Sequence, residues 1–464
     1  MKKIFCNLII LFASLACLQA QVKPDMSPIP TRSQIDFAES EFGVVFHYDL
    51  HVFDNQKYSQ TANRIAPVDD YNIFNPTKLN TDQWIESAKA AGARFAVLTV
   101  THETGFALYQ SDVNPYCLKA VKWHDGKGDI VLDFVNSCRK HGIAPGIYVG
   151  IRWNSIFGIH NFKAEGEGEF ARNRQLWYKH LCEKMVTELC TRYGKLFMIW
   201  FDGGADDPKG DGPDVLPIVT RYQPDCLFYH NVERADFRWG GSESGTVEYP
   251  CWATFSQPYS HHKQSDTQKN HLELLKHGDP NGQYWMQAMA DSPLRGANGR
   301  HEWFWEPGDE NSIYSTVKLT DMYYKSVGRN ATLILGLTPN PDGLLPQEDA
   351  DRLKAFGDTI STIFGTPLQT ISGQGRKFTI KLSKKHVIDQ CVIQENIAKG
   401  ERIREYRIEG KVGGTWRTLC QGTSVGNKRI EKFPAVEVTQ LRTIVDKATD
   451  VPFIKQFAVY TEKH

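Results

Sequence analysis

Past residue 40 the apolar positions alternate between two spacings. Phe42–Asp49 (FGVVFHYD), Arg94–Thr101 (RFAVLTVT), Pro145–Ile151, Leu196–Phe201 and Ala331–Leu337 (ATLILGL) are short apolar runs of strand length. Near-continuous apolarity of that length suits strands buried on both faces, as in a parallel sheet. Between them the spacing turns helical. Asn80–Ala91 predicts a helix capped by Asn80 or Thr81. Asp129–His141 places Ile130, Phe134, Val135 and Cys138 on one face and stops at Gly142. Phe170–Tyr193 predicts a long helix ended by Gly194, Ser312–Val327 another, and Gln347–Ile363 a closing one. Cys226–Asn231 reads as a fifth strand, Val247–Trp252 as a short sixth and Tyr284–Ala290 as a seventh.

Strand–helix alternation of this kind means parallel βαβ units, and about eight strands over roughly 330 residues predict a (β/α)8 barrel. Helices are plain after the first four strands and hard to find around the fifth and sixth, so the barrel is expected to be irregular in its second half. Near Phe364-Gly365-Thr366-Pro367 the pattern changes. Six short alternating segments follow: Lys377–Leu382, Val387–Gln394, Ile403–Gly410, Thr415–Leu419, Ala435–Leu441 and Phe453–Tyr460. Glycines and charged turns separate them, which predicts a small all-β sandwich. The expected fold class is α/β, an irregular barrel over residues 21–365 followed by a β-sandwich over 366–464, with no internal repeat.

The N-terminus adds a targeting segment. Met1-Lys2-Lys3, an apolar run from Ile4 to Leu18 and Gln19-Ala20-Gln21 form a secretory signal with cleavage expected after Ala20. Its apolar part is too short for a comfortable membrane span. The second choice is a lipoprotein site at Ser14-Leu15-Ala16-Cys17, which would lipidate Cys17. The expected location is outside the cytoplasm, periplasmic in a bacterium. Lys+Arg 54 against Asp+Glu 54 leaves no net charge, so nothing points to nucleic acid or an anionic membrane. Eight cysteines lie beyond residue 20 without a CxxC pair, and their scatter fits buried core thiols. Aromatics reach 12%, with 11 Trp and 18 Tyr. Rings suit the C–H faces of sugars, and equally a large core.

Strand C-termini of such a barrel open onto one face, where its chemistry sits. Strand one runs into His47-Tyr48-Asp49, strand two into His102-Glu103, strand three through Tyr148 to Arg152-Trp153, and strand five into His230-Asn231. Strand four, Leu196–Phe201, ends at Asp202-Gly203-Gly204, a carboxylate followed by two glycines that permit a sharp turn and a close ligand. A ring of His, Glu, Trp, Arg and Asp at one mouth is a poor device for stability and a good sugar site. The His-x-His pair of metal-dependent barrels is absent at strand one, His261-His262 reads as solvated loop, and no HExxH, Walker loop, GxSxG or helix-opening GxGxxG occurs. No metal or cofactor is therefore expected. Paired carboxylates in an aromatic pocket remain the simplest catalyst.

At these residues the chain resembles glycoside hydrolase family 29, the α-L-fucosidases, from about Phe42 to Phe364. FGVVFHYDLHVF (42–53) is similar to the family's strand-one histidine segment, with Tyr48 and Asp49 where Trp and Gly are usual. LTVTHETGF (98–106) resembles its paired-histidine motif, with Glu103 in place of the second histidine. MIWFDGG (198–204) resembles the nucleophile strand, and NATLILGLTPNPDGLLP (330–346) the strand-eight motif. The resemblance implies a retaining exo-α-L-fucosidase. Asp202 would be the nucleophile, and His47, His102, Glu103, Tyr148, Trp153 and Trp200 would lie around the sugar.

The stretch Arg238-Trp239-Gly240-Gly241-Ser242-Glu243-Ser244-Gly245 resembles the branch that cleaves α-1,3/1,4-linked fucose from branched oligosaccharides. It implies Glu243 as the acid/base, with Glu248 as the alternative and Arg238 in the site. The loop is expected to be able to swing over the site. His301-Glu302-Trp303-Phe304-Trp305-Glu306 resembles the aromatic wall beside the fucose methyl group, so Trp303 and Trp305 are expected there, with Glu302 and Glu306 as lesser acid candidates. Residues 392–433 resemble discoidin-like, galactose-binding-like modules, for which a packing role is expected. The implied partner is a fucosylated oligosaccharide or glycoprotein glycan. Two other readings stay open: the same mechanism on another sugar such as galactose, or a barrel that binds glycans without cleaving them.

Overall fold

The structure, a computed structural model, describes residues 28–258, 268–300 and 303–461. The expected signal segment, Cys17, His261-His262, His301 and Glu302 lie outside the described residues.

Eight parallel strands form the first sheet: β1 (Phe42–Phe46), β2 (Phe95–Thr101), β3 (Ala144–Val149), β4 (Met198–Trp200), β5 (Leu227–Tyr229), β6 (Phe237–Trp239), β7 (Gln287–Pro293) and β8 (Ala331–Leu337). Their order is β5-β4-β3-β2-β1-β8-β7-β6, so neighbours in space are neighbours in sequence and β1 pairs with β8. The gap between β5 and β6 is bridged by Asp236, whose N–H donates to Phe228 O at 3.0 Å and whose Oδ2 accepts from Phe228 N at 2.7 Å. The result is a nearly closed barrel.

Side-chain alternation divides the strands between two cores. Val45, Val97, Tyr148, Trp200, Phe237, Met289 and Ile334 belong to one buried cluster inside the barrel. Val44, Phe46, Leu98 and Val100 belong to the larger cluster under the helices. This double burial is why the strands read as continuous apolar runs.

The helices are α1 (Arg32–Ser40), α2 (Gln60–Ile65), α3 (Thr81–Ala90), α4 (Ile130–His141), α5 (Gly168–Arg192), α6 (Leu216–Tyr222), α7 (Gln268–His277), α8 (Thr316–Lys325) and α9 (Gln347–Phe364). Asn80 caps α3 by accepting from Gln83 N at 3.1 Å. Gly142 ends α4 in the left-handed region, at φ 72°. No α-helix joins β5 to β6, which is the irregularity expected of the second half. The expected sixth strand is corrected. Val247–Trp252 is loop, tied by Val247 N to Lys325 O and by Trp252 N to His277 O. The sixth strand is Phe237–Trp239, three residues interrupted by a charge.

After α9 an antiparallel sheet is built from β9 (Gln369–Gln374), β10 (Lys377–Glu395), β11 (Ile403–Val412), β12 (Thr415–Gly422), β13 (Arg429–Ala448) and β14 (Phe453–Thr461), in the order β9-β14-β10-β13-β11-β12. Bulges break the register of β10 with β13, and residues from both halves of these long strands, such as Ile380 and Ile393, meet in one core. The sandwich segments read separately as Lys377–Leu382 and Val387–Gln394 are thus one bent strand. Loops of this domain dock on the barrel: Ala253 N donates to Glu401 at 2.8 Å, and Asn427 Nδ2 to Ala38 O at 2.7 Å. All eight cysteines beyond residue 20 are free thiols, seven of them buried. Among the described residues no helix is long and apolar enough to cross a membrane.

Candidate active site

The strand ends surround one cavity, lined by His47, Tyr58, Gln60, His102, Tyr148, Trp200, Asp202, Glu243, Asp291 and Trp303. His47 follows β1 directly and is anchored by its N–H to Leu337 O at 3.0 Å. His102 follows β2. Tyr148 and Trp200 point inward from β3 and β4, their ring centroids 5.8 Å apart. Two residues past Trp200, on the same face by the strand period, is Asp202.

The turn after Asp202 depends on its glycines. Gly203 and Gly204 have φ of 66° and 88°, and a Cβ on Gly204 would lie 2.9 Å from the His230 ring. The turn is closed by Gly204 N to Phe201 O at 2.9 Å and Ala205 N to His230 O at 2.7 Å. Asp202 is open to the cavity, yet protein surrounds it on the barrel side. Burial and, less strongly, the Glu243 charge raise its pKa, while the Tyr148 hydroxyl, donating to Oδ2 at 3.2 Å, Arg152 and the Gly203 amide oppose the rise.

The two histidines are neutral donors and acceptors here. Burial depresses His47 to about 3 and takes His102 well below its ordinary value. His102 stacks on Tyr148 at 5.3 Å, and His47 packs against Trp303 at 5.0 Å. Buried His102 Nδ1 and Trp200 Nε1 have no hydrogen-bond partner among the described residues. Buried polar groups of that kind lining a cavity suit a polyhydroxylated ligand.

Glu243 is half-buried on the loop after β6, where its Oε2 accepts from Trp303 Nε1 at 3.2 Å. Trp303 fits because β8 carries Gly336 beneath it, where a Cβ would come within 2.5 Å of the indole. The loop is tied at its two ends: Gly240 N donates to Met289 O and Gly245 N to Asp291 O, each at 2.8 Å.

Other expected site residues lie elsewhere. Arg238 is fully buried in the wall, its guanidinium donating to Leu275 O at 2.9 Å, to Met286 O and to Cys251 Sγ at 3.3 Å. It supports β6 and does not line the cavity. The Glu248 side chain is 57% exposed and paired with Lys276 at 3.0 Å, away from the cavity. Glu103 is buried behind the lining, bonded to Tyr58 and Arg64. Trp153 packs under the Arg64 guanidinium at 4.5 Å and does not line the cavity. Trp305 is half-buried and does not line the cavity. Glu306 is taken up by Arg300 at 2.7 Å and by Tyr58 N at 2.7 Å. The departures at 48 and 49 are structural. Tyr48 is buried against Trp84, and Asp49 accepts from Leu50 N at 2.7 Å and Thr104 Oγ1 at 2.6 Å.

Three lining residues escape the sequence reading. Tyr58 and Gln60 come from the long excursion between β1 and α3, which carries no motif. Asp291 is the informative one. It lies on β7, is 5% exposed, and accepts from Trp239 Nε1 at 2.9 Å. Burial, then the charges of Glu243 and Asp202, push its carboxyl well up. Its signal was the one that singled out Asp202: an acid closing an apolar strand, here Tyr284–Ala290 followed by Asp291.

Carboxyl groups at the strand ends of a (β/α)8 barrel, set among aromatic rings and neutral imidazoles, define the class: a glycoside hydrolase. The profile of the family described as alpha-L-fucosidase matches residues 17–362. An α-L-fucosidase 1 of Arabidopsis thaliana is 28% identical, over 94% of this chain and 88% of that one. A crystal structure of a candidate α-L-fucosidase from Bacteroides thetaiotaomicron is 68% identical, with a TM-score of 0.93 over 94% of this chain and 100% of the other. A glycoside hydrolase 29 family member from a rumen bacterium is 27% identical, with a TM-score of 0.79 over 95% of this chain and 78% of the other. The chain belongs to the α-L-fucosidase family of glycoside hydrolases.

Proposed function

We propose that the chain is a retaining exo-α-L-fucosidase in which Asp202 is the nucleophile and Glu243 the acid/base. The observation that carries this is the cavity itself: Asp202 and Glu243 reach it from different strand ends and line it together with His47, His102 and Trp303. In the first step an Asp202 oxygen attacks the anomeric carbon. The bond to the leaving oxygen breaks, and that oxygen takes the proton of Glu243. In the second step Glu243 removes a proton from water, whose oxygen attacks the same carbon and releases Asp202. Trp303 holds Glu243 in place, and Tyr148 holds Asp202. The neutral imidazoles and the Trp200 N–H suit the hydroxyls of a bound deoxy-sugar.

The stretch 238–245 supports α-1,3/1,4-linked fucose on branched glycans as the substrate. Residues 21–365 would carry catalysis. Residues 366–464, with loops spent on the barrel, would brace it and not bind sugar. The basic–apolar–small N-terminus supports export to the periplasm.

Kinetics on p-nitrophenyl α-L-fucoside, with a galactoside and Lewis-type oligosaccharides beside it, test the reading. Asp202→Asn is expected to lose about 10⁴-fold in kcat. Glu243→Ala with azide is expected to give α-fucosyl azide, the retained product. An Asp202→Asn enzyme at wild-type rate, or a galactoside cleaved in preference to the fucoside, overturns it.

A further inference from the structure

The cavity runs from a buried floor to an open mouth. Side chains that reach it from inside the barrel, among them Tyr148, Trp200 and Asp291, are buried. Asp202 and Gln60 are its exposed lining residues, so both belong to the mouth. Asp202 follows β4. Gln60 comes from the excursion between β1 and α3, where it is the first residue of the six-residue helix α2.

No residue of α2 is buried, and six residues are too few for a helix to stand alone in water. Core packing therefore does not account for its place over the mouth. Bonds on both sides of Gln60 do. Tyr58 N donates to Glu306 at 2.7 Å, and the Tyr58 hydroxyl to Glu103 at 2.9 Å. Arg64 donates to Glu103 at 2.7 Å and covers the Trp153 ring at 4.5 Å. Glu103 and Glu306 are 4% and 1% exposed, and carboxylates buried that deeply are costly unless they are bonded. Two buried acids of the barrel thus hold a surface strap that has no core of its own. The Gln60 amide between these anchors has no hydrogen-bond partner among the described residues. It offers both a donor and an acceptor at the mouth.

With the anomeric carbon against Asp202, the fucose ring fills the floor and the group it is leaving lies on the open side. We propose that Gln60 is a specificity residue for that leaving group. Its amide hydrogen-bonds hydroxyls of the sugar to which fucose is attached, so a glycan is favoured over an aglycone without hydroxyls. The proposal rests on Asp202 being the nucleophile, since that sets which side of the bond faces the strap.

The ratio of kcat/KM on a fucosylated oligosaccharide to kcat/KM on p-nitrophenyl α-L-fucoside tests this. The oligosaccharide is the one the wild type cleaves fastest among α-1,2-, α-1,3-, α-1,4- and α-1,6-linked substrates. A nitrophenyl group carries no hydroxyl for the amide. In Gln60→Ala the ratio is expected to fall about 3- to 10-fold, the effect of losing one neutral hydrogen bond. Gln60→Leu keeps the bulk, drops the amide and is expected to show the same fall. Gln60 is exposed and unbonded, so neither variant should lose its fold. An unchanged ratio in Gln60→Ala overturns the proposal. A wild-type ratio kept by Gln60→Leu overturns it as well, because the contact would then be apolar. So does a wild type that cleaves the aryl fucoside and none of the oligosaccharides. Each of these leaves the fucosidase reading standing. That reading fails separately, if Asp202→Asn keeps the wild-type rate on the aryl fucoside.

Discussion

Arg64 donates from Nε to Glu103 Oε1 at 2.7 Å, and its guanidinium lies 4.5 Å from the centre of the Trp153 ring. Glu103 also receives the Tyr58 hydroxyl at 2.9 Å. The excursion between β1 and α3, which brings Tyr58 and Gln60 to the cavity, is therefore latched to the barrel through Glu103, and through Glu306, which receives Tyr58 N at 2.7 Å. The Glu103 carboxylate holds a strap at the mouth of the cavity. Glu103→Gln should raise KM for an aryl fucoside about 5- to 10-fold, equivalent to ~1 kcal/mol of lost strap ordering, with kcat nearly unchanged. Steady-state kinetics decide it. A loss confined to kcat would place Glu103 at the reacting atoms.

Arg238 separates a likeness in sequence from a place in the site. Its guanidinium bonds two carbonyls and a thiol in a fully buried wall. Arg238→Met would leave both carbonyls without their donor, at a cost of about 1–3 kcal/mol each. A lower thermal midpoint is expected, while the folded fraction keeps its KM for the fucoside. A KM raised tenfold at an unchanged midpoint would put Arg238 back among the sugar contacts.

The contrast between β4 and β6 shows what was legible. Leu196–Phe201 is apolar without a break because it is buried inside and outside, so the strand and the acid at its end could be read directly. Phe237 and Arg238 are buried just as deeply, but the Arg238 charge is met by distant carbonyls that no local pattern records. The apolar stretch at 247–252 looked more like a strand and is loop. Asp291 was legible by the same rule as Asp202 and stood one residue beyond the end assigned to strand seven. Tyr58 and Gln60 were not legible, because that excursion is held over the mouth by long-range bonds to Glu103 and Glu306. The position of Glu243 rested on its family likeness, and its clamp depends on main-chain bonds to Met289 and Asp291.

His51 gives a prediction about stability and pH. It is buried against Phe304 at 4.2 Å and Tyr58 at 5.0 Å, and neither ring nitrogen has a hydrogen-bond partner among the described residues. Asp49 Oδ2 is 4.0 Å away, beyond hydrogen-bond reach, and burial lifts that carboxyl to about 7, so it offers little charge in acid. Burial, with the nearby His47, takes His51 down to about 3. A histidine whose folded pKa is depressed binds fewer protons folded than unfolded. Its contribution is complete above the ordinary value near 6.5 and is lost as pH falls from there toward 3. Between pH 7 and pH 5 that loss is about 2 kcal/mol. His51→Leu removes the titrating group and some aromatic contact. It should be less stable than wild type at pH 7 and should gain on it by about 2 kcal/mol at pH 5. Chemical denaturation of both proteins at the two pH values measures the difference. Parallel losses in the two would mean that His51 takes up its proton while folded, and that the Asp49 carboxyl 4.0 Å away carries charge after all.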